Sequence, residues 1–575
     1  MTVTKTQRIL LFSSARPLRT WKIARRITQE IPGAKICGIV QQPAEKLSLA
    51  QWLIASGSMG RSFPSAHALP KLRRLFRPAL EELLHWIVWL IHGCPRGLND
   101  TRRFTIADLT ENCRQAQWPF LLARNIDDPG LPEFIHRQNA GMVLVLGELF
   151  LSPELLAIPS QGIVRACSRQ LNADRTQTEL PCEIRVEYFA RGSEAALSLA
   201  SLAVPLQPYD GLAGYALKTD LITDDMLVQT ITTLQTENPA DASKAVGKWI
   251  DEMFSPYLIP LEHTRAQVAQ AARPNRRLRS VWKLCVETLL FSPGVAIQNW
   301  YRRWRGQYPV LILAHHLVCD RPHRMGISTE EFWQVARFLQ RHYRIVSLAQ
   351  AIELLGSGEV REPTVVLTFD DGYVDNFVSL RAVADEMEIP VALFIATQPV
   401  EMQHEFQHDL AHGIRGVLPL TWEQIHYWSV RGGEFGSHTR THCDCASTER
   451  VKLEWELVGS KNDLECRLGK PVNFFAFPFG KHENISSDAE QMAMSVYSHF
   501  VSCFGGENLT GTAVSDYRHL FRKNLYSSLW ELELELQSVF DRVETMKGKF
   551  GRRRTEVASL PGRASIASAF ESIEL

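Results

Sequence analysis

The sequence predicts two α/β units in one chain: an open, mostly parallel sheet in the N-terminal part and an irregular (β/α) barrel in the C-terminal half. Three observations predict it. Short apolar strands alternate with helix-like stretches over the first 215 residues. A second alternation begins at Pro309, after a basic and aromatic stretch. In that second half the residues richest in chemistry directly follow apolar strands, as they do at the C-terminal rim of a barrel.

In the first unit, Ile9–Ser13, Lys35–Val40, Gly141–Leu146 and Gly162–Cys167 read as strands, with a helix at Thr20–Glu30. Residues 43–105 interrupt this rhythm with a partly basic, partly aromatic insertion. Within it, Leu83–Ile91 is too short to span a bilayer and reads as a buried helix. Residues 216–262 are mixed and mostly helical. In the second unit, Val310–Ala314, Val365–Phe369, Val391–Ala396, Glu434–Ser437 and Asn473–Phe477 read as strands. Ser328-Thr-Glu-Glu331 is a start signal for a helix to His342. The expected layout is 1–215, a linker region 216–306, a barrel domain 307–545 and a disordered tail 546–575.

Bulk properties exclude little and add a compartment. Lys plus Arg and Asp plus Glu are both 63, so no net charge draws the chain to nucleic acid, and none is expected as a partner. Eleven Cys lie without paired spacing apart from Cys443 and Cys445, which suits free thiols in a reducing compartment. The polar start Met1–Gln7 runs straight into a strand, without a signal-peptide pattern. The expected location is cytoplasmic.

The most informative string is Thr368-Phe369-Asp370-Asp371-Gly372. Ser437-His438-Thr439-Arg440-Thr441-His442 and Phe477-Pro478-Phe479-Gly480 follow downstream. Alone, Asp-Asp-Gly is an ordinary turn, and two His four apart are ordinary surface or core residues. Together, two imidazoles and one strand-end carboxylate can hold a divalent ion with open positions, beside a second carboxylate free to take a proton. The two His would share a face if the loop enters a helix there.

Residues Val310 to about Tyr526 resemble the polysaccharide deacetylase family, the NodB-homology domain. Leu313-Ala-His-His316-Leu-Val318 resembles its opening Tyr-His-x-Val strand, with His315 in place of Tyr. Thr368–Gly372, Gly436–His442 and Phe475–Gly480 match its three motifs, with Phe479 in place of Tyr. The resemblance implies Asp370 as general base and Asp371, His438 and His442 as metal ligands. It implies the Phe479 backbone N–H as oxyanion donor. The implied metal is divalent, zinc foremost, with Co, Ni, Fe or Mn as options. Many relatives carry an Arg where Ala476 stands, and Arg522 is the candidate to supply that cation. No residue matches the relatives' general-acid His. His519 and His499 are candidates, and His316 reads equally as a packed His or a site residue.

Residues 140–175 and 183–215 resemble a formyltransferase domain that uses 10-formyltetrahydrofolate, a Rossmann-like open sheet. Gly141–Gly147, Leu151–Pro159 and Gly162-Ile-Val-Arg-Ala-Cys-Ser168 carry the likeness. The family's catalytic Asn falls at Arg165 and its His at Cys167. Residues 183–209 hold Glu183, Glu187 and Glu194 but no Asp. The domain therefore reads as formyltransferase-like and inactive, since Arg and Cys cannot replace an amide donor and an imidazole.

Between Arg273 and Arg305 stand eight Lys or Arg and one acid, Glu287, interleaved with Trp282, Trp300, Tyr301 and Trp304. The first reading is an amphipathic linker helix pair on the barrel, broken at Ser292-Pro293-Gly294. The second is peripheral contact with an anionic membrane surface. The sequence thus predicts a metal-dependent hydrolase that removes an N-acyl group, acetyl first, from an amino sugar in a glycan or glycolipid precursor. A deformylase on a nucleotide- or lipid-linked amino sugar and a non-catalytic carbohydrate-binding protein are the alternatives.

Overall fold

Seven strands form the first sheet in the order β3-β2-β1-β4-β5-β6-β7. They are β1 (Gln7–Ser13), β2 (Ala34–Gln41), β3 (Phe120–Leu122), β4 (Met142–Leu146), β5 (Ile163–Gln170), β6 (Cys182–Phe189) and β7 (Ala196–Val204). The first five pair in parallel, and β6 and β7 add an antiparallel hairpin. Helix α1 (Pro17–Glu30) starts on Pro17, whose missing N–H costs nothing in a first turn, and buries Ile23, Ala24 and Ile27 on the sheet. The computed structural model describes residues 7–42, 71–93, 104–125, 128–147, 156–170, 182–258, 278–510 and 517–546. All but the first residue of the tail expected at 546–575, the run Arg273–Arg277 and much of the 43–105 insertion lie outside them.

The second sheet closes on itself. Seven strands, β8 (Val310–His315), β12 (Thr364–Phe369), β13 (Ala392–Ile395), β14 (Glu434–Ser437), β15 (Phe474–Ala476), β16 (His499–Ser502) and β17 (His519–Asn524), pair in parallel, with β8 joining both β12 and β17. The short β9 (Leu317–Val318) and β10 (Gly326–Ile327) form a separate pair, and β11 (Arg344–Ile345) extends β12. Strand β12 is buried at all six positions, which is why it reads as an unbroken apolar run rather than an alternating one. The expected open sheet and barrel are both present. Sequence reading missed β3, the hairpin, β16 and β17; of these, β3 and β16 are short and β17 ends polar, while the hairpin strands are long.

The principal helices used below are α2 (Lys71–His92), α3 (Leu212–Leu234), α4 (Pro239–Leu258), α5 (Leu278–Trp304), α6 (Thr329–His342) and α7 (Leu529–Leu536). Helix α6 starts on a capping box between Ser328 and Glu331, as its start signal predicted.

Part of the expected linker is core. Helix α3 is buried on most sides, and one hydrophobic cluster runs from Leu11 and Leu144 through Ile222 and Phe254 to Leu313 and Phe369. Its charges are met from both units. Asp225 is fully buried and takes Arg381 Nη2 at 2.5 Å, Arg26 Nη2 at 2.9 Å and Tyr427 Oη at 3.0 Å. Lys218 is equally buried between Asp320, at 2.7 Å, and Asp210.

The expected break at Ser292-Pro293-Gly294 does not occur, because α5 runs through Pro293 as one helix. Its inner side, Leu284 and Val295, packs with Val88 of α2 and Trp530 and Leu534 of α7. That packing outweighs the roughly 3 kcal/mol an internal Pro costs a helix. Helix α2 is also not the fully buried helix expected, since Leu83, Trp86 and Leu90 face solvent.

Candidate active site

The site is assembled at the C-terminal ends of the barrel strands. Asp370 and Asp371 leave β12, and the Asp370 N–H still donates to the His315 carbonyl of β8 at 2.9 Å. Asp371 has a left-handed backbone, φ 70°, and Gly372 follows at φ 89°. A Cβ on Gly372 would stand 2.8 Å from Ile395 Cδ1, so the turn requires glycine. Thr439, His442 and Phe479 also have φ near 60°. Four non-glycine residues in this strained region at one rim mark a site whose geometry the surrounding packing enforces.

His438 and His442 do not share a helix. They stand in a loop after β14, shaped by the buried Glu456. One Glu456 oxygen accepts the N–H groups of Arg440 and Thr441, each at 2.9 Å, and the other accepts the Thr441 hydroxyl at 2.6 Å. Asp463 grips the Arg440 guanidinium at 2.7 and 2.8 Å. His438 Nδ1 lies 2.7 Å from the Ala476 carbonyl, which assigns the proton to Nδ1 and leaves the Nε2 lone pair for the site.

His438 Nε2 and His442 Nε2 stand 3.4 and 3.2 Å from Asp371 Oδ1. One ligand atom from each of these three residues falls within 4.8 Å of the others. Asp371 is fully buried, yet neither of its oxygens has a hydrogen-bond partner. A buried carboxylate with two orphaned oxygens is costly unless a cation meets it. Two imidazoles and a carboxylate are also a donor set that zinc and its neighbours accept. The residues fit a divalent metal. Burial acts to raise the Asp371 carboxyl, but His442 and His438 beside it hold it well below the usual range.

Asp370 faces Arg522, which rises from β17. The guanidinium holds both carboxylate oxygens, Nη1 to Oδ1 at 2.6 Å and Nη2 to Oδ2 at 2.8 Å, with both side chains buried. Burial would raise the Asp370 carboxyl; the Arg522 charge outweighs it and keeps the group below its ordinary value. Arg522 thus stands on Asp370 although Ala476 occupies the position expected for an arginine. The Phe479 ring sits edge-on to His442 at 4.9 Å and is half-exposed. No acceptor among the described residues takes its N–H.

Other candidates are set aside by position. His499 opens β16, at the end of the strand away from the site, with Nδ1 on the Tyr517 carbonyl and its ring on Phe474. His519 opens β17, bonds Ser502 Oγ at 2.7 Å and stacks on Phe500. Burial, with His482 nearby, lowers it to about 4. Neither reaches Asp371. His316 does lie among the site charges: burial lowers it against the pull of Asp371 and Asp370.

Sequence reading missed His408. Its Nε2 lies 3.7 Å from Asp371 Oδ2 and 2.8 Å from Tyr373 Oη, and its ring packs on His442 at 4.8 Å. Tyr373 donates to Asp409 Oδ2 at 2.7 Å, so His408 Nε2–H is the donor to the phenol oxygen. Burial lowers His408 to about 4, against the attraction of Asp371. It comes from the long segment between β13 and β14, where His404, His408 and His412 recur every fourth residue. That spacing was the only signal.

In the first unit, Arg165 and Cys167 lie on β5. Arg165 Nε pairs across the strands with Glu187 at 2.9 Å and packs over Phe189 at 4.9 Å, while Cys167 is buried.

Residues 357–497 match the Polysaccharide deacetylase family. The match contains Asp370, Asp371, His438, His442 and Phe479, and ends before Arg522. The C-terminal half therefore carries a polysaccharide deacetylase domain. Among solved structures, the Streptococcus pyogenes deacetylase PplD in complex with acetate is 20% identical, over 40% of this chain and 98% of that one, with a TM-score of 0.34. IcaB from Ammonifex degensii is also 20% identical, over 40% and 97%, at 0.34. Phosphoribosylglycinamide formyltransferase from Bacillus halodurans is 12% identical, over 43% and 100%, at 0.24. No curated protein matches the chain.

Proposed function

We propose that the barrel hydrolyses the N-acyl amide, acetyl first, of an amino sugar in a glycan or glycolipid precursor. The observation that carries this reading is Asp371: a buried carboxylate with two orphaned oxygens, faced by two imidazole nitrogens and set beside an ionised, arginine-held Asp370. A divalent ion, zinc foremost, held by Asp371, His438 and His442 would supply Lewis acidity and an acidified water. Asp370 is placed to accept a proton from the attacking water. Its carboxyl is held ionised by Arg522, which weakens it as a base but, being bidentate, fixes its direction. The Phe479 N–H donates to the carbonyl oxygen as it gains charge. Its left-handed backbone, held by the Phe477–Gly480 turn, sets that donor in advance.

The N-terminal unit is proposed to be catalytically silent. Arg165 is tied to Glu187 and Cys167 is buried, where an amide and an imidazole would be needed. The test of the barrel reading is metal content together with acyl release from a panel of N-acylated glucosamines, for wild type and for the double variant Asp371→Ala/His438→Ala. Stoichiometric metal with released acetate, both lost in the variant, supports it. Formate in place of acetate changes the acyl group. A wild type that takes up no metal sinks the mechanism.

A further inference from the structure

Helix α5 buries one side against α2 and α7 and leaves the other bare. Leu290, Ile297 and Trp304 are 68%, 70% and 72% exposed, and they recur every seven residues along one face. From Leu290 to Trp304 that face is about 21 Å long. Helix α2 lies beside it, with the two C-terminal ends together: Arg303 donates to the His92 carbonyl at 2.6 Å. On α2 the exposed apolar residues are again helix-spaced, Leu83, Trp86 and Leu90, with one exposed acid, Glu82, beside them. Both faces turn away from the seam made by Val88, Leu284 and Val295. A soluble surface helix normally shows the reverse pattern.

We propose that this two-helix face docks on an anionic lipid bilayer surface. The charge around it selects the occupant. Residues 278–305 hold five Lys or Arg and one acid; Arg302 is paired with Glu507 and Arg303 with the His92 carbonyl, which leaves Lys283 and Arg305, near the two ends, exposed as the charged frame. Anionic headgroups neutralise such a frame. A second copy of the chain, paired through the same face, would set like charges against each other. The aromatic content suits the headgroup level, where an indole keeps its ring in the acyl boundary and its N–H in water. No helix among the described residues is long and apolar enough to cross a membrane, so the helices lie along the surface. This docking face stands independently of the hydrolase reading.

The test uses the full chain in flotation with vesicles of phosphatidylglycerol and phosphatidylcholine, or of phosphatidylcholine alone. The variants are Leu290→Glu/Ile297→Glu for the apolar face and Lys283→Glu/Arg305→Glu for the charged frame. Wild type should float with the anionic vesicles and at least about tenfold less with the neutral ones. Each variant should partition at least about tenfold more weakly, with unchanged thermal unfolding because the altered side chains are exposed. Three results overturn the proposal. Wild type that stays entirely unfloated is the first. Variants that float as wild type does are the second. The third is a wild-type dimer that Leu290→Glu/Ile297→Glu converts to a monomer, which assigns the face to a second copy.

Discussion

Arg522→Met removes the cation from Asp370 while keeping bulk in the barrel. Both side chains are buried, and two charge-assisted hydrogen bonds of 2.6 and 2.8 Å vanish together. Leaving one member of a buried ion pair costs about 3–5 kcal/mol. Burial then acts on Asp370 with only His438 and His316 left to oppose it, so the carboxyl moves up from its wild-type value. In wild type, a carboxyl depressed in the folded state contributes stability above its unfolded value, and this is lost as pH falls through the folded one. In Arg522→Met that contribution shrinks, and the variant gains stability relative to wild type as pH falls. Activity should drop about a hundredfold from the loss of positioning, and its acid limb should move to higher pH. Urea unfolding across pH reads the first effect without a substrate. The pH profile of acyl release reads the second. A variant with wild-type stability at neutral pH and an unmoved acid limb would refute the clamp on Asp370.

Three further outcomes are expected. Glu456→Gln weakens the charge that gathers three donors of the His438–His442 loop, so metal affinity should fall about tenfold to a hundredfold, measured by competition with a chromogenic chelator. His408→Ala removes the ring packed on His442 and should lower metal affinity about tenfold, while Arg522–Asp370 and the acid limb stay as in wild type. Asp225→Ala strands Arg381 and Arg26 in the shared core; a loss of about 3–5 kcal/mol is expected in one cooperative unfolding transition, and an unchanged midpoint would contradict a common core.

The site was legible where chemistry and sequence neighbourhood coincide. Asp370 and Asp371 follow an unbroken apolar run, and a parallel strand buried on both faces must deliver its next residues to the rim. His438 and His442 were legible as a pair, but not their loop, because its shape depends on Glu456 in a helix that packs later in the chain. His408 was hidden because long insertions carry no period that fixes where they land. The dual exposure of α2 and α5 was also hidden, since an apolar helix face looks the same in sequence whether it is covered or bare.

By itself, the sequence determined two strand-and-helix rhythms, the acid pair and the histidine pair. Local patterning determines these, through strand period, turn residues and the identity of each donor. The sequence offered Arg522 as a candidate cation, but tertiary structure decided that it meets Asp370 across barrel strands 152 residues apart in sequence, and that α3 binds both units through Asp225 and Lys218. Contacts between distant segments follow from which surfaces bury each other, and no window of sequence contains both partners.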